Sequence, residues 1–188
     1  MNRDKWKLTD EEYEFIKGEI AHIFVKYDIK CVPVSSFEIA SKLGITLIPF
    51  SCLSEKKLDA AKTASEDGFL IESNGHEYIF YNDIDKDYER QNWTILHEIG
   101  HVVLDHTGHS QHDEDEANFF AKYAIAPPPI VYKTGAESMT DIYERFDITF
   151  EASYYAFCYF TSWIQHIKRG GELQEYDKQL IRLYNRTV

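Results

Sequence analysis

The stretch that decides the fold is residues 85–106, DKDYERQNWTILHEIGHVVLDH. Its apolar residues recur at the spacing of one helix face, which predicts a helix over residues 85–106. That face is formed by Trp93, Leu96, Gly100, Val103 and Leu104. Because HEIGH at residues 97–101 lies inside the same segment, the fold is expected to be built around a helix that carries an HExxH motif.

The HExxH motif places metal-binding chemistry on this helix. His97 and His101 are four residues apart, so both imidazoles can point at one ion from the same helix face. Glu98 lies about 100° around the helix, close enough to reach a water on the metal without binding the metal itself. In a chain of this composition an HExxH arises by chance with a probability of roughly 0.03. The motif therefore predicts a zinc site with Glu98 within reach of a water on the metal.

A third protein ligand is required, because catalytic zinc usually keeps three and leaves the fourth position open. A third histidine six residues after His101 is excluded, since Thr107 stands there. The remaining source is the next predicted helix, over residues 113–125, which opens with the acidic run DEDE.

Within that acidic run the apolar pattern favours one residue. Ala117, Phe120, Ala121 and Ala124 mark the face turned toward the HExxH helix. Glu116 is expected beside that face and Glu114 is expected to point away from it. Asp113 and His112 also remain possible by spacing alone.

The order of the other predicted elements indicates an α+β fold. A capping box at Thr9–Glu12 opens a long helix, a turn with an Asn-Gly step joins two strands of a hairpin, and residues 127–129 are all proline. The predicted elements are helices over 10–27 and from 35 or 36 to 43, a strand over 45–50, loop or short helix over 51–67, hairpin strands over 68–72 and 77–81, and helices over 139–146, 149–168 and 173–185. The prolines place a domain boundary near residue 130. Residues 1–130 are predicted to form the main domain, with a small, mainly antiparallel sheet, and residues 131–188 a helical C-terminal subdomain packed on it.

The composition excludes several functions. The formal charge is −12 over 188 residues, which argues against a nucleic-acid-binding surface and against an anionic membrane surface. The longest stretch near the end without Asp, Glu, Lys or Arg covers residues 152–167, too short to span a bilayer. The start lacks an apolar segment typical of a signal peptide, and the three cysteines form no CxxC pair. A cytoplasmic location with reduced thiols is expected.

Residues 90–101, RQNWTILHEIGH, followed by EANFFA at residues 116–121 and by Pro127, resemble the ImmA/IrrE metallopeptidases. The pattern typical of that family is R-x-x-[FW]-T-x-x-HE-x-GH, then EAN-x-FA, a short apolar run and a proline. The resemblance extends over roughly residues 35–160. Here Ala124, Ile125 and Ala126 stand where the family carries a bulkier, Leu-rich run.

The resemblance implies a zincin-like fold and a set of roles. Zinc would be bound by His97, His101 and Glu116, with Glu98 as the catalytic acid and base. The substrate would be a cytosolic helix-turn-helix repressor, from a phage, a mobile element or a stress response. The alternative is an antirepressor-like binding protein with a structural metal, which sequesters its partner without cutting it. No oligomeric state follows from the sequence.

Two expectations concern the substrate. An extended substrate segment could pair with the hairpin edge near residues 77–81. The segment from Asp105 to Glu116 holds five acidic residues and no Lys or Arg, and such a rim would attract a basic, DNA-binding protein. The donor that stabilises the oxyanion is left open among six candidates: His106, His109, Tyr81, Tyr123, Tyr154 and Tyr155.

Overall fold

The computed structural model describes residues 8–108 and 110–185. Within these ranges the α-helices are α1 (Asp10–Tyr27), α2 (Ser36–Leu43), α3 (Glu55–Ala64), α4 (Tyr88–Val103), α5 (Gln111–Ile125), α6 (Pro128–Thr134), α7 (Met139–Phe146), α8 (Phe150–Lys168) and α9 (Glu175–Asn185). The strands are β1 (Thr46–Pro49), β2 (Gly68–Ser73) and β3 (His76–Tyr81), and a short 3-10 turn covers Phe50–Cys52. The predicted α+β class is confirmed. His109, one of the candidate oxyanion donors, lies outside the described residues.

The three strands form one mixed sheet in the order β1-β3-β2. β2 and β3 are antiparallel and are joined by Asn74 and Gly75, both with positive φ, as a two-residue hairpin turn requires. β1 runs parallel to β3, with Leu47 opposite Ile79. The sheet is therefore mixed, and its longer pairing, between β2 and β3, is antiparallel.

The helix boundaries follow local capping chemistry. Thr9 and Glu12 form the predicted capping box at the start of α1. Gly44, in the left-handed region at φ 78°, ends α2 as expected. The HExxH helix is shorter than predicted, because the Asp87 carboxylate caps its first turn and Asp105 adopts a positive φ just beyond its end.

The core joins the N-terminal helices to the C-terminal ones. Ile20 of α1, Phe120 of α5 and Leu180 of α9 are buried in the same hydrophobic cluster. α6 begins directly at the proline run, with proline at its first positions, where an amide N–H has no helical acceptor. Buried residues on both sides of residue 130 belong to that cluster, and the predicted division into two domains stays a prediction.

Two glycines allow α4 to lie unusually close to its neighbours. A Cβ on Gly100 would stand 3.1 Å from Cβ of Phe120 and 3.2 Å from Cα of Ala117, both on α5. A Cβ on Gly68 of β2 would stand 2.5 Å from the Phe80 carbonyl oxygen and 2.8 Å from Cγ2 of Thr94 on α4. α4 is thus held between α5 and the sheet, and its side chains meet those of both.

Two further features concern membrane-spanning helices and the cysteines. None of the helices in the described ranges is both long enough and apolar enough to cross a membrane. Cys31, Cys52 and Cys158 are all exposed, and each is a free thiol.

Candidate metal centre

The two histidines of the HExxH motif converge as their spacing predicts. His97 and His101 lie one turn apart on α4, and their Nε2 atoms are 3.1 Å from each other. Their side chains retain 15% and 8% of their exposure, so both are largely buried. Two imidazole nitrogens at this distance can ligate one ion.

Glu114 of α5 completes the cluster. Its Oε2 lies 3.3 Å from Nε2 of His97, and its Oε1 lies 3.6 Å from Nε2 of His101. The expectation that Glu114 points away from α4 is therefore wrong. Among the described residues, His97, His101 and Glu114 form the group of possible metal ligands at the HExxH motif.

The structure does not bring Glu116 to this group, so the placement expected for the third ligand is corrected. Glu116 contacts His106 instead, with its Oε2 3.0 Å from Nε2 of His106. The reason is helix phase. Ala117 is the α5 residue whose Cα comes closest to Gly100 of α4, and Glu114 lies one turn before Ala117 on the same line. Glu116 lies about 200° further around the helix from Glu114, so the two carboxylates cannot face the same point.

The donor set fits a zinc ion. Bonds of about 2.0 to 2.2 Å in a tetrahedron put neighbouring ligand atoms about 3.3 Å apart. The two imidazole nitrogens are 3.1 Å apart, His97 lies 3.3 Å from Oε2 of Glu114 and His101 lies 3.6 Å from Oε1 of the same carboxylate. With one donor atom taken from each residue, all three lie within 4.8 Å of one another. This is the ligand type and number of a catalytic zinc site with one position left for a non-protein ligand.

Glu98 lies on the sheet side of α4, near the backbone of Leu70 in β2. Burial, and then the negative charge of Glu114, raise the pKa of Glu98 to about 7, while the Leu70 backbone hydrogen bond opposes the rise. A cation held by His97, His101 and Glu114 would also favour the ionised carboxylate. Glu98 thus has the burial and the position of a proton acceptor beside the metal cluster.

The cluster opens into a cleft of about 600 Å³ between α4, α5 and β2. Glu98, His97 and Glu114 lie in its wall, together with Gly68, Phe69 and Leu70 of β2. A second groove of about 360 Å³ runs on toward Tyr155 and the start of α8. Arg90, Trp93 and Asn118 line both, so these three side chains stand between the two cavities.

Charged residues fix the wall of the cleft on the β2 side. Nε of Arg90 donates a hydrogen bond to Oδ1 of Asp67 at 3.1 Å, and a second guanidinium nitrogen pairs with Oδ2. Nζ of Lys86 lies 3.0 Å from the same Oδ1. The hydrogen bond from Arg90, supported by Lys86, lowers the pKa of Asp67 to about 2. Arg90, the first residue of the segment RQNWTILHEIGH, is therefore paired with Asp67, a partner that the sequence alone does not identify.

His97 has a partner from the EAN segment. Burial lowers the pKa of His97, whereas Glu114 and the side chain of Asn118 both favour its charged form. Asn118 follows Glu114 by one helical turn, so both side chains reach α4 from the same face of α5. That spacing from Glu114 to Asn118 is the sequence signal that could have identified Glu114.

The candidate oxyanion donors lie elsewhere. Among the described residues that line the cleft are none of the candidate tyrosines, nor His106. Tyr123 is buried in the core, Tyr154 is exposed, and Tyr155 lines only the second groove. Polar donors in the cleft wall include Arg90 and Asn118.

A helix bearing HExxH, a carboxylate from the next helix and an adjoining sheet define a metallopeptidase-type protein. The family model for the IrrE N-terminal-like domain of the M78 peptidases matches residues 40–162, well over half of the chain. The chain belongs to the ImmA/IrrE family of peptidases. No curated protein matches the chain at a significant level.

Proposed function

We propose that this protein is a zinc-dependent endopeptidase that cleaves a helix-turn-helix transcriptional repressor. The observation that carries the proposal is the cluster of His97, His101 and Glu114, in which one donor atom from each residue lies within 4.8 Å of the others and which lines an open cleft. Glu98, the acidic residue of the HExxH motif, lies in the wall of that cleft.

The proposed division of labour follows from these positions. His97, His101 and Glu114 would hold the metal, which when bound supplies Lewis-acid activation of a water and of the scissile carbonyl. Glu98 would accept a proton on the cleft side and return it to the leaving amine, from its place in the cleft wall beside the three ligands. Arg90, held by Asp67, would help to keep the wall in place for the substrate.

The strand β2, which lines the cleft, offers a place for an extended peptide to bind. β3 lies between β1 and β2, so the expectation that a substrate pairs near residues 77–81 is wrong. Within the described part of the chain, β2 pairs with β3 alone, and Gly68, Phe69 and Leu70 line the cleft. A substrate segment could add to the second edge of β2 by backbone hydrogen bonds, with its peptide groups directed at Glu98.

Charge supports the class of substrate. A chain with net charge −12 repels nucleic acid but attracts a protein whose surface is basic, such as a DNA-binding repressor. Cleavage of such a substrate should slow as salt is raised, because screening weakens the attraction. A cleavage rate that is indifferent to ionic strength would remove the charge argument.

The test uses the full chain loaded with zinc and a helix-turn-helix repressor encoded beside it in the genome. Zinc content is measured by metal analysis and cleavage is followed on a gel with and without a chelator. The wild type is expected to cut, and Glu98→Gln is expected to retain zinc but to cut roughly 100- to 10,000-fold more slowly.

Glu55→Gln is the matched control, since it removes the same charge from the exposed start of α3 and should cut normally. A Glu98→Gln variant that binds zinc and cuts at the wild-type rate would contradict the role of Glu98. Tight binding of the repressor without cleavage by the zinc-loaded wild type would instead support the binding protein with a structural metal.

A further inference from the structure

A chain of three side chains leads outward from the metal cluster. Nδ1 of His101 lies 2.9 Å from Nδ1 of His106, and Nε2 of His106 lies 3.0 Å from Oε2 of Glu116. The side chains of His106 and Glu116 retain only 6% and 15% of their exposure. Both contacts are of hydrogen-bond length and are largely shielded from water, so the protons in them have defined positions.

The metal sets the first proton of this chain. Nε2 of His101 faces His97 and Glu114, so its lone pair must be free for an ion to bind there. A neutral imidazole carries one N–H, and in His101 that proton then resides on Nδ1. Nδ1 of His101 therefore donates, and Nδ1 of His106 accepts.

The carboxylate sets the last proton. With Nδ1 of His106 accepting, its own proton lies on Nε2 and is donated to Oε2 of Glu116. In the reverse assignment a lone pair of His106 would face the carboxylate at 3.0 Å, and a proton would sit on the metal side of His101. Two acceptors facing each other at that distance repel, so Glu116 disfavours the reverse assignment.

We propose that His106 and Glu116 are positioning residues that hold His101 in the tautomer whose Nε2 lone pair is available to the metal. The proposal rests on the metal site of the proposed function and deepens it. Glu116 contacts His106, and His106 contacts the ligand His101, so Glu116 acts on the metal site only through His106 and touches neither metal nor substrate. Such partners orient the imidazole and raise its basicity, which strengthens its bond to the ion.

The experiment measures zinc affinity of the full chain by competition with a chelator, independently of any cleavage. Glu116→Ala and His106→Phe are each expected to weaken zinc binding roughly 10- to 100-fold. The double variant is expected to be no weaker than the weaker single variant, because both changes interrupt the same chain. Thermal unfolding of the metal-free proteins identifies any variant that fails to fold.

His112→Gln is the matched control. Nε2 of His112 lies 3.9 Å from the other oxygen of Glu116 and 3.1 Å from Oε1 of Glu12, outside the proposed chain. It should bind zinc as the wild type does. Wild-type affinity in Glu116→Ala, with zinc binding abolished in His97→Ala, would overturn the proposal and leave the metal site intact. Abolished binding in Glu116→Ala with normal binding in Glu114→Ala would make Glu116 a ligand and also overturn it. A wild type that binds no zinc would refute the proposed function itself.

A spectroscopic measurement reports the tautomers directly. Long-range ¹H–¹⁵N correlation spectra of the zinc-loaded protein distinguish protonated from unprotonated ring nitrogens. We expect a proton on Nδ1 of His101 and on Nε2 of His106, with the His106 pattern altered in Glu116→Ala. A proton on Nδ1 of His106 in the zinc-loaded wild type would contradict the proposal.

Discussion

The two sides of α4 are held in different ways. On the α5 side the contact is close and buried, with Gly100 against Phe120 and a hydrogen-bonded chain from His101 to Glu116. On the β2 side the contact of Gly68 with Thr94 is also close, and the polar links are the hydrogen bond of Glu98 with the Leu70 backbone and the more exposed ion pair of Arg90 with Asp67. Ligand geometry thus depends on shielded hydrogen bonds, whereas the cleft wall depends on charges that water and salt can screen.

The largest effect is expected on the α5 side, at Glu114. Glu114→Ala removes one of the three proposed ligands and should weaken zinc binding roughly 1,000-fold, about 4 kcal/mol and more than the loss of an outer partner costs. Chelator competition measures the affinity. Asp115→Ala, the next residue of α5, is the control and should bind zinc normally. If Glu114→Ala and the wild type bind zinc with equal affinity, Glu114 is not a zinc ligand.

The next effect is expected on the β2 side, at Gly68. Gly68→Ala would place a Cβ 2.5 Å from the backbone oxygen of Phe80, which cannot move without disturbing the hairpin. We expect a loss of about 3 kcal/mol in the free energy of unfolding, at the upper end of the usual cost of overpacking. Urea denaturation measures it. A stability unchanged from wild type would show that the β2 contact yields easily.

A smaller effect is expected at Gly100, on the α5 side. Gly100→Ala gains helix propensity but forces a Cβ to 3.1 Å from Phe120, and we expect a net loss of about 1 kcal/mol. Gly18→Ala is the matched control, because Gly18 lies inside α1 with nothing within 4 Å of its added Cβ. It should gain about 0.5 to 1 kcal/mol. Equal changes in both variants would mean that α4 and α5 are not tightly packed.

The smallest effect is expected from the ion pair on the β2 side. Because Arg90 and Lys86 lower the pKa of Asp67 to about 2, the ionised carboxylate stabilises the fold fully above about pH 4 and loses its effect as the pH falls toward 2. Allowing for solvent screening, Asp67→Asn should cost about 0.5 kcal/mol at pH 7.

Denaturation at several pH values and salt concentrations checks this expectation. The difference between wild type and Asp67→Asn should shrink below pH 4 and also at high salt. The difference for Gly100→Ala should be indifferent to salt. A pH-independent cost of Asp67→Asn would show that the ion pair does not set the stability of this side.

Local sequence patterns predict the helices and strands of this fold better than they predict the direction in which an individual carboxylate points. Thr9 and Gly44 mark helix ends correctly, because capping depends on neighbours in the chain. His97 and His101 meet because one helix carries both. The choice between Glu114 and Glu116 depends on the rotation of α5 against α4, which the close contact at Gly100 sets. Residues 111–116 of α5 are all polar, so the apolar stripe, which begins only at Ala117, does not distinguish the two carboxylates.

The site is assembled from nearby parts of the chain. The contact of Asp67 with Arg90 joins residues 23 positions apart, and His106 with Glu116 only 10, whereas the hydrogen bond from Tyr176 to Glu14 spans 162. Closing the long loop costs roughly 2 kcal/mol more chain entropy than closing the 23-residue one. Residues 67–118 should therefore form their contacts early in folding, before α9 docks on α1. Loosening α9 should lower the stability of the whole protein while leaving the metal ligands assembled.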